Sequence, residues 1–373
     1  MMKRARYLLL CSVLLIFAGM GWSQTTSQDV QNQLNQKRQT SITDAIAKVS
    51  PAVVGVNVTQ IRRYRAHPFF NDPLLNMFFG DTYQQKVQSL GSGFIVSEDG
   101  YVLTNAHVVE GAAEIVITTP GGEQHDGELI GIDNVSDLAL VKIEGNDFPS
   151  VTFGNSDDIV IGEWVVALGN PFGLFDVSYQ PTATAGIISG LHMDFGEQRK
   201  GQRYQNMIQT DASINTGNSG GPLVNANGEV IGISTFIFTG GGYNQGSIGI
   251  GFAIPINRAK QIMADLKEQG QIDWSFDTGL KIQEVDRHIS SALNLPVNDG
   301  IIVTGVERGS PADKAGVKVG DIITEAAGEP IRSERDIFDA IQNNYLHAGD
   351  ILNLKVWRDG DAKTIKLKLE SVR

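Results

Sequence analysis

The chain has 373 residues, of which 41% are hydrophobic and 19% are charged, and its formal net charge is −12. This length suggests two or three domains, and the composition is that of a globular protein rather than a disordered one. The acidic balance, with no dense run of Lys and Arg after the N-terminus, argues against a nucleic-acid partner. The 42 glycines favour strands and turns.

The N-terminus combines a basic start with an apolar run. Lys3, Arg4 and Arg6 precede the apolar residues 7–22, and the small residues Gly21 and Ser23 lie at the end of this run. One interpretation is a signal peptide at 1–23 that is cleaved after Ser23. The other is an uncleaved membrane anchor, although the run is shorter than the ~20 residues that a spanning helix needs. Both predict that the rest of the chain is exported, to the periplasm or elsewhere, and only the second predicts a membrane contact.

The single cysteine, Cys11, lies within this apolar run. The exported part therefore has no cysteine, which excludes disulfides, thiol catalysis and thiolate metal sites there. The glycine-rich stretch 239–252 lacks the strand–loop–helix context of a nucleotide fingerprint. The sequence predicts neither a metal nor any other cofactor.

The first folded unit is predicted at 41–269, after a polar leader at 24–40. Residues 41–48 favour a short helix stopped at Pro51, and Asn227-Gly228 indicates a type I′ hairpin turn. Alternating apolar runs bounded by turn residues predict an all-β barrel or sandwich: AVVGVNV, GSGFIVS, GYVLT, AEIVITTP, LALVKIE, EWVVALG and EVIGISTFIF.

Two segments depart from the strand pattern. Residues 62–85 carry clustered Phe and Pro and are predicted to be a long loop. Residues 257–270 have apolar residues at helical spacing, with Asn257 as the expected N-cap and Gly270 as the stop. A linker at 270–277 follows.

A second unit, predicted at 278–373, is a small α+β module with its own core. Its strands are GLKIQEV, GIIVTGV, DIITEA, ILNLKVWR and KTIKLKLE. One helix is expected in SPADKAG, between Pro311 and Gly316. Another opens with the Ser333–Asp336 capping box and is expected to carry Ile337, Phe338 and Ile341 inward.

The stretch INTGNSGGPLVN (214–225) raises the question of chemistry, because glycines crowd around Ser219. A nucleophilic serine needs a base, and among the 6 histidines His107 ends a predicted strand between apolar neighbours. The alternative is that His107 is a buried neutral histidine with no catalytic role. The base needs an orienting carboxylate, and Asp137 enters an apolar strand where it requires a partner. Its alternative is a turn aspartate, for which Asp133 fits better.

Glycine before the serine suits an oxyanion hole. Gly217 permits backbone conformations that let Gly217, Asn218 and Ser219 expose consecutive N–H groups. Gly220 and Gly221 would then turn the chain sharply back into the strand PLVN.

Three motifs, TNAHVV, SDLALV and GNSGGPL, resemble the chymotrypsin-type serine proteases in the order His, Asp, Ser. Together with ALGNPFGL, IQTDASINTGNSGGPL and GIGFAIP they resemble, more narrowly, the HtrA (Deg) family of exported proteases, and the distal unit resembles a PDZ domain. The resemblance covers about residues 42–370. It implies a mainly β fold: a chymotrypsin-like double β-barrel at 41–269 and a small α+β PDZ domain at 278–373.

By this resemblance His107 is the general base, Asp137 its orienter and Ser219 the nucleophile, while Gly217 and Ser219 form the oxyanion hole. Residues 171–195 and 236–247 fall where activation and specificity loops lie. Ser213 stands where a trypsin-like pocket carries aspartate, so a preference for Lys or Arg is not expected. The predicted pocket wall is Ile233, Ser234 and Thr235.

In the PDZ-like unit the predicted carboxylate loop and adjoining strand edge comprise Gly279, Leu280, Lys281 and Ile282. They would bind a C-terminal peptide by strand addition. A purely structural PDZ is the alternative.

The resulting prediction is an exported serine endopeptidase that hydrolyses unfolded or misassembled proteins in quality control, with PDZ-controlled activity and a homotrimer or larger trimer-based assembly. Two alternatives remain. One is a stress-sensing regulatory protease that C-terminal peptides activate against one dedicated substrate, and the other is a chaperone or peptide-binding scaffold.

Overall fold

A computed structural model of the chain describes residues 38–65, 82–170, 178, 180–197, 201–215, 217–237, 247, 249–285, 290–291 and 300–372. The predicted signal peptide or anchor and most of the leader lie outside these residues. Within them, no helix is both long enough and apolar enough to cross a membrane. Two closed six-stranded barrels precede a smaller sheet, so the mainly β prediction is confirmed.

The first barrel follows helix α1 (Ser41–Val49), which starts at a capping box between Thr40 and Thr43. The helix continues into a 3₁₀ turn, Ser50–Ala52, that contains Pro51, so it ends one residue later than predicted. Six strands close the barrel in the order β1–β2–β3–β6–β5–β4: β1 (Val53–Arg65), β2 (Thr82–Ile95), β3 (Tyr101–Thr104), β4 (Ala112–Thr118), β5 (Gln124–Asp133) and β6 (Leu138–Ile143).

The predicted loop at 62–85 is wrong at both ends. Strands β1 and β2 pair without interruption from Val53↔Phe94 to Arg65↔Thr82, so residues 62–65 and 82–85 extend the ribbon. The aromatic cluster itself, at 66–81, lies outside the described residues.

The second barrel has the strand order β11–β14–β13–β12–β7–β8. Its strands are β7 (Trp164–Gly169), β8 (Thr182–Met193), β11 (Met207–Thr210), β12 (Pro222–Asn225), β13 (Val230–Ile237) and β14 (Gly251–Pro255). Two short strands, β9 (Gly196–Glu197) and β10 (Arg203–Tyr204), pair apart from it. Strand β8 occupies 182–193 of the segment 171–195 that was expected as an activation loop. Parts of both expected loops (171–177, 179 and 238–246) lie outside the described residues.

The turn between β12 and β13 is not type I′. Asn227 keeps a negative φ, whereas a type I′ turn needs positive φ at both central residues. Instead the N–H of Gly228 donates to the carbonyl of Asn225 (3.0 Å) and Gly228 takes φ +68°. This is the three-residue loop in which a left-handed glycine follows an ordinary turn.

Helix α3 (Ile256–Gln269) closes the first unit and buries Ala259, Ile262 and Leu266 completely. It begins just after Pro255, without a side-chain cap, so the predicted N-cap at Asn257 is wrong. Gly270 ends the helix at φ +76°, as predicted. The buried face packs into a core shared by both barrels.

The distal unit has its own core, as predicted. Its strands are β15 (Phe276–Asp277), β16 (Leu280–Glu284), β17 (Ile301–Val306), β18 (Ile322–Ala326), β19 (Glu329–Pro330), β20 (Ile351–Arg358), β21 (Asp361–Lys368) and β22 (Glu370–Ser371). Helices α4 (Pro311–Ala315) and α5 (Glu334–Asn343) start at the side-chain caps of Ser310 and Ser333. The inward prediction for Phe338 is wrong, because the residue is 48% exposed and lines a cleft of about 340 Å³ facing the first unit.

The two units are in contact across the segment 270–277. The indole N–H of Trp274 donates to Oδ1 of Asp133 (2.8 Å), and Tyr345 packs into the core of the first unit at 7% exposure. Nε2 of His347 lies 3.3 Å from Oδ2 of Asp265 on α3. The predicted linker is therefore part of a packed surface.

Candidate active site

His107 lies on a single helical turn, α2 (Ala106–Val109), that follows strand β3. Its neighbours Ala106, Val108 and Val109 are buried, whereas the imidazole side chain is 38% exposed. The alternative of a buried neutral histidine is therefore wrong. The turn anchors the backbone in the barrel and leaves the ring accessible.

The carboxylate of Asp137 binds this imidazole. Its Oδ2 lies 2.8 Å and its Oδ1 3.0 Å from Nδ1 of His107, and Oδ1 also accepts the backbone N–H of His107 (2.9 Å). An ionised carboxylate only accepts hydrogen bonds, so Nδ1 carries the proton and Nε2 of the neutral ring is left as a base. Asp137 is fully buried, and a buried charge at this position is stable only when it is paired.

The backbone of Asp137 has a positive φ of 59°, which is uncommon for a residue other than glycine. The side-chain amide of Asn105 donates to the carbonyl of Asp137 (2.8 Å) and holds this conformation. Asp133, the alternative orienter, instead accepts the N–H groups of Val135 and Ser136 in a turn. The sequence interpretation of Asp133 as the turn aspartate is confirmed.

Two further donors reach Oδ2 of Asp137, and the sequence analysis assigned neither of them to this site. The hydroxyl of Thr235 donates at 2.9 Å and the phenol of Tyr204 at 3.1 Å. Burial, and next the charge of Asp137, raise the pKa of the Tyr204 phenol, so it stays a protonated donor. No local motif marks these residues, because the bonds span 98 and 67 residues of sequence.

Ser219 joins the same network. Its hydroxyl donates to the carbonyl of Thr235 (2.9 Å), and Thr235 in turn donates to Asp137. A serine hydroxyl has one proton, so in this conformation it is not given to His107. Rotation of the Ser219 side chain must precede proton transfer to the imidazole.

The Ser219 loop is fixed from the first barrel. The hydroxyl of Ser92 donates to the carbonyl of Gly217 and accepts the N–H of Asn170 (2.7 Å), while the N–H of Ser92 donates to the carbonyl of Ser219 (2.9 Å). Gly217 takes φ +99°, a conformation that suits glycine.

The backbone N–H groups of this loop differ in their partners. The N–H of Asn218 donates to the carbonyl of Asn215 (2.9 Å). Within the part of the chain that the structure describes, the N–H groups of Gly217 and Ser219 have no acceptor. Gly217 and Ser219 are the pair that the family resemblance implies for the oxyanion hole. Asn218 was predicted to expose its N–H beside them, and this N–H is instead paired within the loop.

Glycine is required after Ser219 for space as well as conformation. Gly220 has φ +85°, and a Cβ there would overlap the carbonyl oxygen of Ser92 and Oγ1 of Thr104. A Cβ at Gly221 would overlap the carbonyl oxygen of Leu168. The predicted sharp return into β12 is confirmed.

The predicted pocket residues separate in the structure. Ser213 is exposed, and its carbonyl accepts the hydroxyl of Thr184 (2.8 Å). Ile233 is fully buried in the shared core, and Ser234 is fully buried with its N–H paired to Gly221. The side chains of Ile233, Ser234 and Thr235 are therefore buried, and that of Thr235 is bonded to Asp137. The pocket wall at these residues stays a prediction.

In the distal unit, β16 occupies one edge of the described sheet. The N–H of Gly279 donates to Oδ1 of Asp277 (2.8 Å) and that of Leu280 to Oγ1 of Thr278 (3.3 Å). Lys281 is exposed and Ile282 packs against the core. The loop amides thus donate within their own turn, and a bound carboxylate would have to replace these acceptors.

No group of three or more His, Cys, Asp and Glu side chains within the described residues is arranged to hold a metal ion.

Comparison with known proteins matches both units. Residues 91–233 match the trypsin-like peptidase domain and residues 277–369 the PDZ domain. A probable periplasmic serine endoprotease, DegP-like, of Chlamydia trachomatis is 42% identical over 82% of this chain, and the chain spans only 60% of that relative. A relative of the same description from Ectopseudomonas mendocina is 38% identical over 95% of this chain and 74% of its own length.

Solved structures of related proteases also match this chain. The HtrA-type protease AlgW with a decapeptide is 35% identical, with a TM-score of 0.64 over 90% of this chain and 99% of that one. The serine endoprotease from Yersinia pestis is 31% identical, with a TM-score of 0.56 over 90% and 99% of the two chains. The chain therefore belongs to the HtrA (Deg) family of serine proteases, with a trypsin-like peptidase domain followed by a PDZ domain.

Proposed function

We propose that this protein is an exported serine endopeptidase that hydrolyses peptide bonds of unfolded or misassembled proteins. The observation that carries the proposal is one connected network, in which Ser219 bonds to Thr235, Thr235 to Asp137, and Asp137 to His107. In the reaction Ser219 attacks the scissile carbonyl, and His107 takes its proton at Nε2. Asp137 holds the tautomer and stabilises the imidazolium.

The developing oxyanion is bound by the N–H groups of Gly217 and Ser219. Neither N–H has an acceptor among the described residues, which supports this role, because donors reserved for the transition state must be available when charge develops. His107 then returns the proton to the leaving amine, and water repeats the sequence on the acyl-enzyme.

The curated relatives are named periplasmic, and the same location is proposed here, with residues 1–23 directing export. The AlgW structure contains a decapeptide, which supports a peptide-binding role for the PDZ-like unit at β16. A homotrimer or a larger trimer-based assembly remains a prediction from the family resemblance.

The test is casein digestion by the exported protein and by Ser219→Ala, with Ser97→Ala as a matched control in a turn of the same unit. We expect digestion by the wild type and by Ser97→Ala only. A fluorophosphonate label that modifies Ser219 in the wild type gives an independent readout. Equal digestion by Ser219→Ala contradicts the assignment of the nucleophile.

The same assay separates the alternatives. Digestion that begins only after a C-terminal peptide is added supports the sensor protease, in which PDZ occupancy controls activity. Folded protein that never digests casein and never takes the label supports the scaffold.

A further inference from the structure

The carboxylate of Asp137 has more partners than its imidazole contact requires. Besides His107 and Thr235, its Oδ2 accepts the phenol of Tyr204, which belongs to the short strand β10 outside the second barrel. We propose that Tyr204 is a positioning residue for catalysis, whose hydroxyl fixes the plane of the Asp137 carboxylate against Nδ1 of His107. The proposal rests on the proposed role of Asp137.

The Tyr204 ring is itself held firmly. It is 8% exposed and packs in the core between the barrels. The backbone N–H of Phe195 donates to the carbonyl of Tyr204 (2.8 Å), and the N–H of Arg203 donates to the carbonyl of Val135 (2.8 Å). The β10 segment is thereby bonded directly to the turn that carries Asp137.

A buried cation strengthens this connection. Arg258 on α3 donates through Nη1 to the carbonyl of Gln205 and through Nη2 to the hydroxyl of Ser136, both at 3.3 Å. These residues are the immediate neighbours of Tyr204 and Asp137. Burial lowers the pKa of Arg258 from its ordinary value. Its planar guanidinium holds two donors in a fixed geometry, which suits one side chain that bonds two separate segments.

A donor from a third residue adds to the bonds that hold the carboxylate. His107 bonds it through its backbone N–H and Nδ1–H, and Thr235 bonds Oδ2. The phenol adds a further bond at Oδ2 from β10, and both Asp137 and Tyr204 are buried, where hydrogen bonds in a network strengthen one another. It also withdraws negative charge from the carboxylate, which moderates how strongly Asp137 favours the imidazolium.

The titratable and charged groups that face this carboxylate are few among the described residues. They are His107 from α2 and Tyr204 from β10, while Arg258 from α3 reaches the adjoining backbone. Removal of the phenol hydroxyl therefore acts on the His107–Asp137 pair and on no other ionisation nearby.

The experiment compares Tyr204→Phe with Tyr345→Phe. Both tyrosines are buried, but the hydroxyl of Tyr345 has no partner among the described residues. We expect Tyr204→Phe to lower kcat about tenfold, the scale of one hydrogen bond to a charged group. KM should change less than about twofold, because Tyr204 does not touch the substrate.

The pH profile supplies a readout that a purely structural role would not change. Without the phenol donor the carboxylate favours the imidazolium more, so the acid limb of kcat/KM moves up by roughly half a pH unit. In a second variant, 3-fluorotyrosine at position 204 keeps the hydroxyl and makes it a stronger donor. There the acid limb should move to lower pH, and this variant tests the proposal even where Tyr204→Phe folds poorly.

Unchanged kcat and an unchanged acid limb in both Tyr204 variants would overturn the positioning role, provided that their melting temperatures match the wild type. An equal effect of Tyr345→Phe would do the same. Failure of the proposed function is distinguishable, because Ser219→Ala would then digest casein as fast as the wild type.

Discussion

Replacing Asp137 with Asn tests the triad most directly. The native carboxylate accepts four bonds: the N–H and Nδ1–H of His107, and the hydroxyls of Tyr204 and Thr235. An amide has one acceptor oxygen and two N–H donors. If the new amide nitrogen in Asp137→Asn faces His107, then Nδ1 of the imidazole must accept its hydrogen bond. The imidazole proton then lies on Nε2, and Nε2 can no longer act as the base.

The expected magnitude follows from the tautomer. The same carboxylate-to-amide change in a serine protease triad lowers kcat by about 10⁴, which corresponds to about 5.4 kcal/mol in the activation free energy. The fold should be retained, because Asn tolerates the left-handed backbone that Asp137 adopts at φ 59°. The two hydroxyl donors also rotate to suit the amide.

The assay is the initial rate of labelled casein digestion at saturating substrate, with thermal melting of each variant. Asp133→Asn is the matched control, since the carboxylate of Asp133 bonds, among the residues that the structure describes, within its turn and to Trp274. We expect its rate within about threefold of the wild type. If the digestion rate of a well-folded Asp137→Asn protein falls by less than about tenfold, the tautomer explanation is refuted.

Ser92 and Gly220 support the Ser219 loop, and Asp336 caps α5 in the distal unit. Ser92→Ala removes the donor to the Gly217 carbonyl and the acceptor of the buried N–H of Asn170. We expect kcat to fall about tenfold and the free energy of unfolding, measured in urea titrations, to fall by about 2 kcal/mol. An unchanged kcat would show that the Ser219 loop does not need this anchor. Gly220→Ala places a Cβ on the Ser92 carbonyl, so we expect the free energy of unfolding to fall by about 3 kcal/mol and the activity to be lost. A melting curve identical to that of the wild type would contradict the close approach. Backbone N–H donors of Arg332 and Ser333 hold the pKa of Asp336 below its usual value. The contribution of Asp336 to the stability of α5 is therefore complete above about pH 4 and is lost as the pH falls further. In urea titrations the free energy of unfolding of Asp336→Ala should fall less steeply with acid than that of the wild type, and an identical pH slope would contradict this.

Local chemistry explains which parts of the fold could be predicted from the sequence. The capping box at Ser333 and the helix ends at Gly316 and Gly270 each depend on residues within one helical turn, and the structure has all three. The turn at Asn227-Gly228 shows the limit. The dipeptide has the composition of a type I′ turn, yet the preceding Asn225 accepts the N–H groups of Asn227 and Glu229 and supports a longer loop.

The site could be predicted only where its residues stand in motifs. His107, Asp137 and Ser219 lie in family-like stretches, whereas Tyr204 and Thr235 reach Asp137 through the packing of separate strands. Thr235 was predicted in a substrate pocket, whereas its hydroxyl donates to Asp137, because the direction of a side chain cannot be read from the sequence.

The glycines after Ser219 show why conformation alone was an incomplete explanation. The positive φ of a tight turn is enough to explain glycine at position 220. The structure adds that Ser92, Thr104 and the N–H of Asn105 crowd the same point. All three belong to the first unit, and Thr104 and Asn105 lead directly into the His107 turn. The two barrels therefore approach closely at Gly220, so any side chain there would push the nucleophile away from its base.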